Sequence, residues 1–354
     1  MPKDFLLEEL KSLNQKIEAS KLPKDLQSRV LQMLDRLNRI SQTNTYSSEF
    51  DIISNYINWI TEIPWDKKTQ DNLDLANAKK VLDKNHYGLE QVKERVLEYL
   101  AVENMKIANK DKLQMVEKAP ILCLVGLQGL GKTTFAHSIA EALGRQFIRI
   151  SLGALGSILE LRGKSKAHIA AEPGQITKAL VRTQVSNPLI LLDEMDKVSG
   201  EQGLRNDLMA ALLEILDPEQ NTSFVDHYID YPINLSNILF IASANNTGTF
   251  SAALMDRLEI IRMPSYSDKE KEVISRDYLL PKVLAISGLM PEQVTIKPEV
   301  WPRLIRPLGY DSGIRSLQRI LESVCRKSAK IIMEKKVKTV IVDELNFKTF
   351  LPIL

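Results

Sequence analysis

The feature that most constrains this chain is eight residues, Gly126-Leu127-Gln128-Gly129-Leu130-Gly131-Lys132-Thr133. They match G-x-x-x-x-G-K-[ST] and follow a continuous apolar run, Ile121-Leu122-Cys123-Leu124-Val125, that reads as a buried parallel strand. A helical pattern follows, with Thr134 in its first turn. In that setting the glycines let backbone N–H groups curl around phosphate oxygens, and the helix start adds partial positive charge. Lys132 is the residue type that reaches β- and γ-phosphates, and Thr133 offers a hydroxyl to Mg²⁺. About one chain of this length in a hundred would carry the match by accident, and the strand–loop–helix setting lowers that further.

Three more runs resemble the first. Leu189-Ile190-Leu191-Leu192 and Ile238-Leu239-Phe240-Ile241 are strong, and Phe147-Ile148-Arg149-Ile150 is weaker. Helical patterns at Phe135 to Leu143 and Asp207 to Leu216 separate them, which predicts an α/β fold with a parallel sheet. The run at 189 ends in Asp193-Glu194. An acid at a strand's carboxyl end holds Mg²⁺ directly or through water, which suits Asp193, and Glu194 is then placed to polarise an attacking water. The run at 238 leads to Asn245, whose amide suits orienting that water or sensing the γ-phosphate. Arg257 is a candidate for reaching a neighbouring subunit's phosphate, and Arg315 for closing over the nucleotide from the final domain.

The flanks read as helical. Leu6, Leu10, Leu13 and Ile17, then Leu26, Val30, Met33, Leu34, Leu37 and Ile40, predict a helical hairpin interrupted at Leu22-Pro23. A further helix ends at Pro64, and Leu75 to Lys106 is helical with a break at His86-Tyr87-Gly88. After Tyr266 the text is mainly helical, at Lys269 to Leu284 and Ile314 to Met333, with a short strand at Lys338 to Val342. The expected division is a helical segment 1–70, an α/β nucleotide-binding domain 71–266 and a small helical lid 267–354.

Composition excludes more than it reveals. Lys plus Arg number 47 against 45 acids, a balance without the basic excess of a nucleic-acid coat. A hydrophobic fraction of 44% argues against disorder, and two cysteines cannot build a disulfide framework or a zinc ribbon. None of the four histidines forms an H-E-x-x-H pair, and no apolar run spans a bilayer. The expectation is a cytoplasmic-type protein that does not cross a membrane.

Together these features resemble the AAA+ ATPase family of P-loop NTPases. The segments Asn55 to Trp59, Ile63-Pro64-Trp65, Asp83 to Leu89, Leu192 to Lys197, Leu212 to Asn221 and Asp226-His227-Tyr228 resemble those of Lon proteases from about Ser47 to about Lys330. The resemblance implies that Gly126 to Thr133 is Walker A, Asp193 and Glu194 Walker B, Asn245 sensor 1, Arg257 an arginine finger and Arg315 sensor 2. It places His86, Tyr87 and Gly88 against the adenine base. It also implies Mg-ATP as cofactor, a homohexameric ring, and polypeptide pulled through a central pore by loops that include His168 and Ile169. His168 stands where the family's grip residue is usually tyrosine. No segment resembles the family's serine loop or its large amino-terminal substrate domain, so peptidase activity is not expected of this chain. A separate peptidase subunit is then a conceivable partner. The alternative is a nucleotide-dependent scaffold or DNA-binding module of a split protease. A small-molecule kinase is disfavoured by the arginine-bearing lid.

Overall fold

A computed structural model describes residues 3–42, 48–108, 120–168, 170–198, 202–306 and 313–352. The two amino-terminal stripes become helices Lys3–Ala19 and Lys24–Gln42, which bury Leu10, Leu13 and Ile17 with Leu26, Val30, Leu34 and Leu37. These residues recur at three- and four-residue spacing, so each helix presents one apolar face. A third helix, Ser48–Glu62, packs against both and buries Phe50, Tyr56, Ile57 and Ile60. Helices Leu75–Asn85 and Glu90–Ala108 flank the break at His86.

The strands are β1 (Ile121–Val125), β2 (Phe147–Ser151), β3 (Leu189–Asp193), β4 (Phe224–Val225), β5 (Pro232–Ile233), β6 (Leu239–Ala244), β7 (Leu258–Arg262), β8 (Val294–Ile296) and β9 (Val340–Val342). A five-stranded parallel sheet runs in the order β2-β3-β6-β1-β7 and is flanked by helices; four of its strands are the predicted runs, and β7 is an addition the sequence reading missed. Its register pairs Ser151 with Asp193 and Leu192 with Ala242. Every residue of β3 is buried, because strands pair on both sides of it and helices cover both faces. One of the two edge strands, β7, carries Glu259 and Arg262 among its apolar residues. Short β4 and β5 form an antiparallel ribbon, and β8 and β9 a parallel pair.

The chain divides into two compact units. One comprises Met1–Leu73, Val102–Cys123 and Ala140–Glu259; the other comprises Asp74–Ala101, Leu124–Ile139 and Ile260–Leu354. In the second unit Val300, Leu304, Leu321, Val324, Cys325 and Val342 form an apolar core. The helical stretch Asp268 to Ile286 contains a π-helical segment, Ile274–Leu279. Pro281 supplies the reason: it has no N–H for an i→i−4 bond, and the wider turn before it absorbs the missing donor. Among the described residues no helix is long and apolar enough to cross a membrane.

Candidate functional site

The predicted site residues divide between the two units. β1 delivers the chain into the loop Gly126 to Gly131, which belongs to the second unit, and the helix Lys132–Leu143 starts where the glycines end. Gly129 and Gly131 hold φ of +80° and +89°, a region that other residues enter only at a cost. A Cβ at Gly126 would lie 2.9 Å from the Met263 carbonyl, so the close approach of the backbone after β7 excludes any side chain there. Lys132 is almost fully buried, and its ammonium donates to the Gly126 carbonyl at 2.6 Å and the Leu127 carbonyl at 3.0 Å. Leu127 and Gln128 are exposed at the tip, whereas Leu130 is buried. The Tyr266 hydroxyl donates to the Leu130 carbonyl at 3.4 Å. Thr133 is half-buried in the first helical turn, and the exposed Thr134 donates to the Gly131 carbonyl at 2.8 Å.

The same unit brings Arg315 to this loop. Ile314 N–H donates to the Gly129 carbonyl at 2.9 Å, and the helix Arg315–Lys335 begins at the next residue. A Cβ at Gly129 would stand 3.3 Å from Gly313 Cα and 3.4 Å from Arg315 N. Arg315 itself is exposed. His86, Tyr87 and Gly88 also belong here. His86 is buried, lies 4.8 Å from the Phe135 ring and shares a 2.9 Å hydrogen bond with Ser138 Oγ. Burial, reinforced by the charges of Lys93 and Lys282, pushes its imidazole down to about 4, so it is neutral at ordinary pH. Tyr87 is partly exposed beside Tyr278, and Gly88 turns the chain at φ +65°.

The first unit holds Asp193, Glu194, Asn245, Arg257 and His168. Asp193, at the end of β3, is buried; its carboxylate accepts from the Ser243 hydroxyl and pairs with Arg149 Nε at 2.5 Å. Glu194 adopts a left-handed backbone, φ +60°, rare for a residue with a side chain. Its N–H donates to Asp193 Oδ1 at 3.1 Å and Ser243 Oγ at 3.2 Å, and Lys197 donates to its carboxylate at 2.6 Å. Asn245 follows β6 and is half-buried. Arg257 is half-exposed and bonds Asp217 at 3.0 Å. His168 is exposed in the segment after Gly163, and Ile169 lies outside the described residues.

Arg149, Ser243 and Lys197 are absent from the residues predicted from sequence. Ser243 and Arg149 reach Asp193 from neighbouring strands, a relation no local pattern carries. Lys197 had a usable signal, since it stands three residues after Glu194, one turn on. Phe135 and Ser138, which hold His86, are hidden in the same way as Ser243.

Residues 122–266 match the family model of ATPases associated with various cellular activities (AAA). Residues 286–341 match the Lon protease AAA+ ATPase lid domain. The chain is 43% identical over 338 residues to Lon protease of Bacillus thuringiensis (strain Al Hakam), covering 96% of this chain and 41% of that protein. Lon protease 1 of Bacillus subtilis (strain 168) is 43% identical over 97% of this chain and 43% of its own length. Lon protease 2 of Thermus thermophilus is 42% identical, again over 97% and 43%. The chain thus spans about two-fifths of the length of these relatives. With an AAA domain running into a Lon-type lid, it is an AAA+ ATPase module of the Lon protease family.

Proposed function

We propose that this module hydrolyses Mg-ATP, assembles as a homo-oligomeric ring, most simply a hexamer, and uses the cycle to unfold or translocate protein substrates in the cytoplasm. The observation that carries the reading is the loop Gly126 to Gly131, with two glycines at positive φ and Lys132 folded beneath it. Its backbone suits an anion, and its lysine donates to loop carbonyls that phosphate oxygens can replace. When bound, Mg-ATP supplies the anhydride bond and a divalent charge that neutralises the phosphates.

The residues then act as follows. Backbone N–H groups of Gly126 to Thr133 and the Lys132 ammonium hold the phosphates, and Thr134 braces the loop through Gly131. Thr133 and Asp193 would each offer an oxygen to Mg²⁺, whose charge would offset that of the phosphates. Glu194 takes a proton from the attacking water, Asn245 orients that water, and Arg315 closes from the lid. His86, Tyr87 and Gly88 face the base. Arg257 exchanges Asp217 for a neighbouring subunit's phosphate. His168 and Ile169 contact the threaded chain. A separate peptidase subunit is a compatible partner.

The test is ATP turnover as a function of protein concentration, beside Glu194→Gln and Lys132→Ala. Turnover per chain rises with concentration as subunits associate. Removing the base with Glu194→Gln lowers kcat about a hundredfold while nucleotide still binds. Lys132→Ala weakens nucleotide binding itself. A rate per chain that stays flat with dilution, in a protein that remains monomeric with ATP, refutes the ring.

A further inference from the structure

One buried acid outside the nucleotide residues has a geometry that calls for explanation. Asp226 is fully buried, next to the ribbon of β4 and β5. Its carboxylate accepts from Gly174 N–H at 2.8 Å and the Thr177 hydroxyl at 2.6 Å on one oxygen, and from the N–H groups of Tyr228 at 2.8 Å and Ile229 at 3.3 Å on the other. Asp226 therefore ties a turn of its own chain to the end of a distant segment, the one that runs from Gly163 to Gly174 and carries His168.

Both ends of that segment are built around the carboxylate. A Cβ on Gly163 would come within 2.4 Å of Asp226 Oδ1, and one on Gly174 within 2.1 Å of the Leu161 carbonyl. His227 N–H donates to the Arg162 carbonyl at 2.7 Å, and Lys164 N–H to the Glu172 carbonyl at 3.1 Å, so the base is closed on itself. Farther along, the Lys166 ammonium sits 4.6 Å over the Tyr56 ring, and the Tyr56 hydroxyl donates to the Ile229 carbonyl at 2.8 Å. Ala170 holds φ +56°, a conformation that persists only where surroundings impose it. The segment is thus gripped at its base by Asp226 and touched along its length by the same turn's neighbours.

We propose that Asp226 is a positioning residue: it ties the Gly174 end of the Gly163–Gly174 segment, with Gly163 packed against its carboxylate, to the turn at Tyr228 and Ile229, and so fixes where His168 is presented to a polypeptide. The proposal rests on the polypeptide-handling role given above. Burial raises the Asp226 pKa despite the four donors, so replacing it by a neutral side chain of the same shape removes a desolvation cost along with the bonds. Asparagine keeps one accepting oxygen, which stays with the local turn, and leaves Gly174 N–H without its acceptor. The pin loosens while the fold survives.

Hydrogen exchange on the full chain tests this in Asp226→Asn, Thr177→Val and Thr177→Ser. Peptides covering 163–174 exchange about tenfold faster in Asp226→Asn and Thr177→Val, whereas peptides covering β3 and β6 keep their wild-type protection. Thr177→Ser, which restores a hydroxyl donor, returns the segment to wild-type exchange. With unfolded casein as probe, the concentration giving half-maximal stimulation of ATP turnover rises about fivefold in the first two variants, and turnover without casein is unchanged. Unchanged exchange at 163–174 overturns the pin. Loss of protection in β3 and β6 together with 163–174 also overturns it, because Asp226 then supports the whole unit. A wild-type protein that casein does not stimulate overturns the polypeptide reading instead, and the exchange data still decide the pin.

Discussion

His86 makes the acid response of this chain calculable. Its imidazole is buried against Phe135 and Ser138 and titrates at about 4, against 6.5 for an unhindered histidine. Unfolding releases the ring into water, where it binds a proton far more readily. A histidine whose pKa is depressed on folding contributes stability above the unfolded value, and that stability is lost as pH falls from 6.5 toward 4. Between pH 7 and pH 5 the loss for this one group is about 2 kcal/mol. His86→Gln keeps a polar partner for Ser138 and cannot titrate. Urea unfolding of nucleotide-free protein is followed in a Trp59→Phe, Trp65→Phe background, where buried Trp301 reports on the unit that contains His86. Between pH 7 and 5, the chain with His86 loses about 2 kcal/mol more than the His86→Gln chain. Equal losses refute the claim that this ring is held neutral by burial.

Two further outcomes follow from the same distances. Gly129→Ala forces a left-handed alanine against the Gly313 backbone, a combined cost of about 2 kcal/mol, so fluorescent ADP binds roughly thirtyfold more weakly with Lys132 intact. Arg145 makes two bonds to Asp71, at 2.8 and 2.6 Å, with both side chains largely buried. Arg145→Ala takes the cation from that acid, leaving it a long 3.4 Å bond from Asn187, and lowers stability by about 3 kcal/mol, seen as a lower urea midpoint with an unchanged slope.

What could be read in the sequence was local. Residues 121–125 and 189–192 announce themselves because a strand covered on both faces needs no polar residue, and the phosphate loop because its glycines, lysine and threonine are contiguous. β7 escaped for the opposite reason: at the sheet's edge Glu259 and Arg262 are tolerated, which breaks the apolar run. β8 is too short to show a period. The π-helical turn before Pro281 has no signature beyond the proline. Around Asp193 and Glu194 the acids were legible, while Arg149 and Ser243 were not, since strand order alone brings them there. Asp226 belongs to the same class; in the text it is one acid before His227-Tyr228, and its meaning lies in Gly163, Gly174 and Thr177, some fifty positions upstream.

The left-handed backbone of Glu194 sets durability against turnover at a single position. Glycine there would relieve about 1 kcal/mol of torsional strain, and asparagine part of it. Breeding this chain for heat tolerance alone drives out the acid to which we assign phosphate cleavage; breeding it for speed keeps a permanent weak point at the tip of its most deeply covered strand.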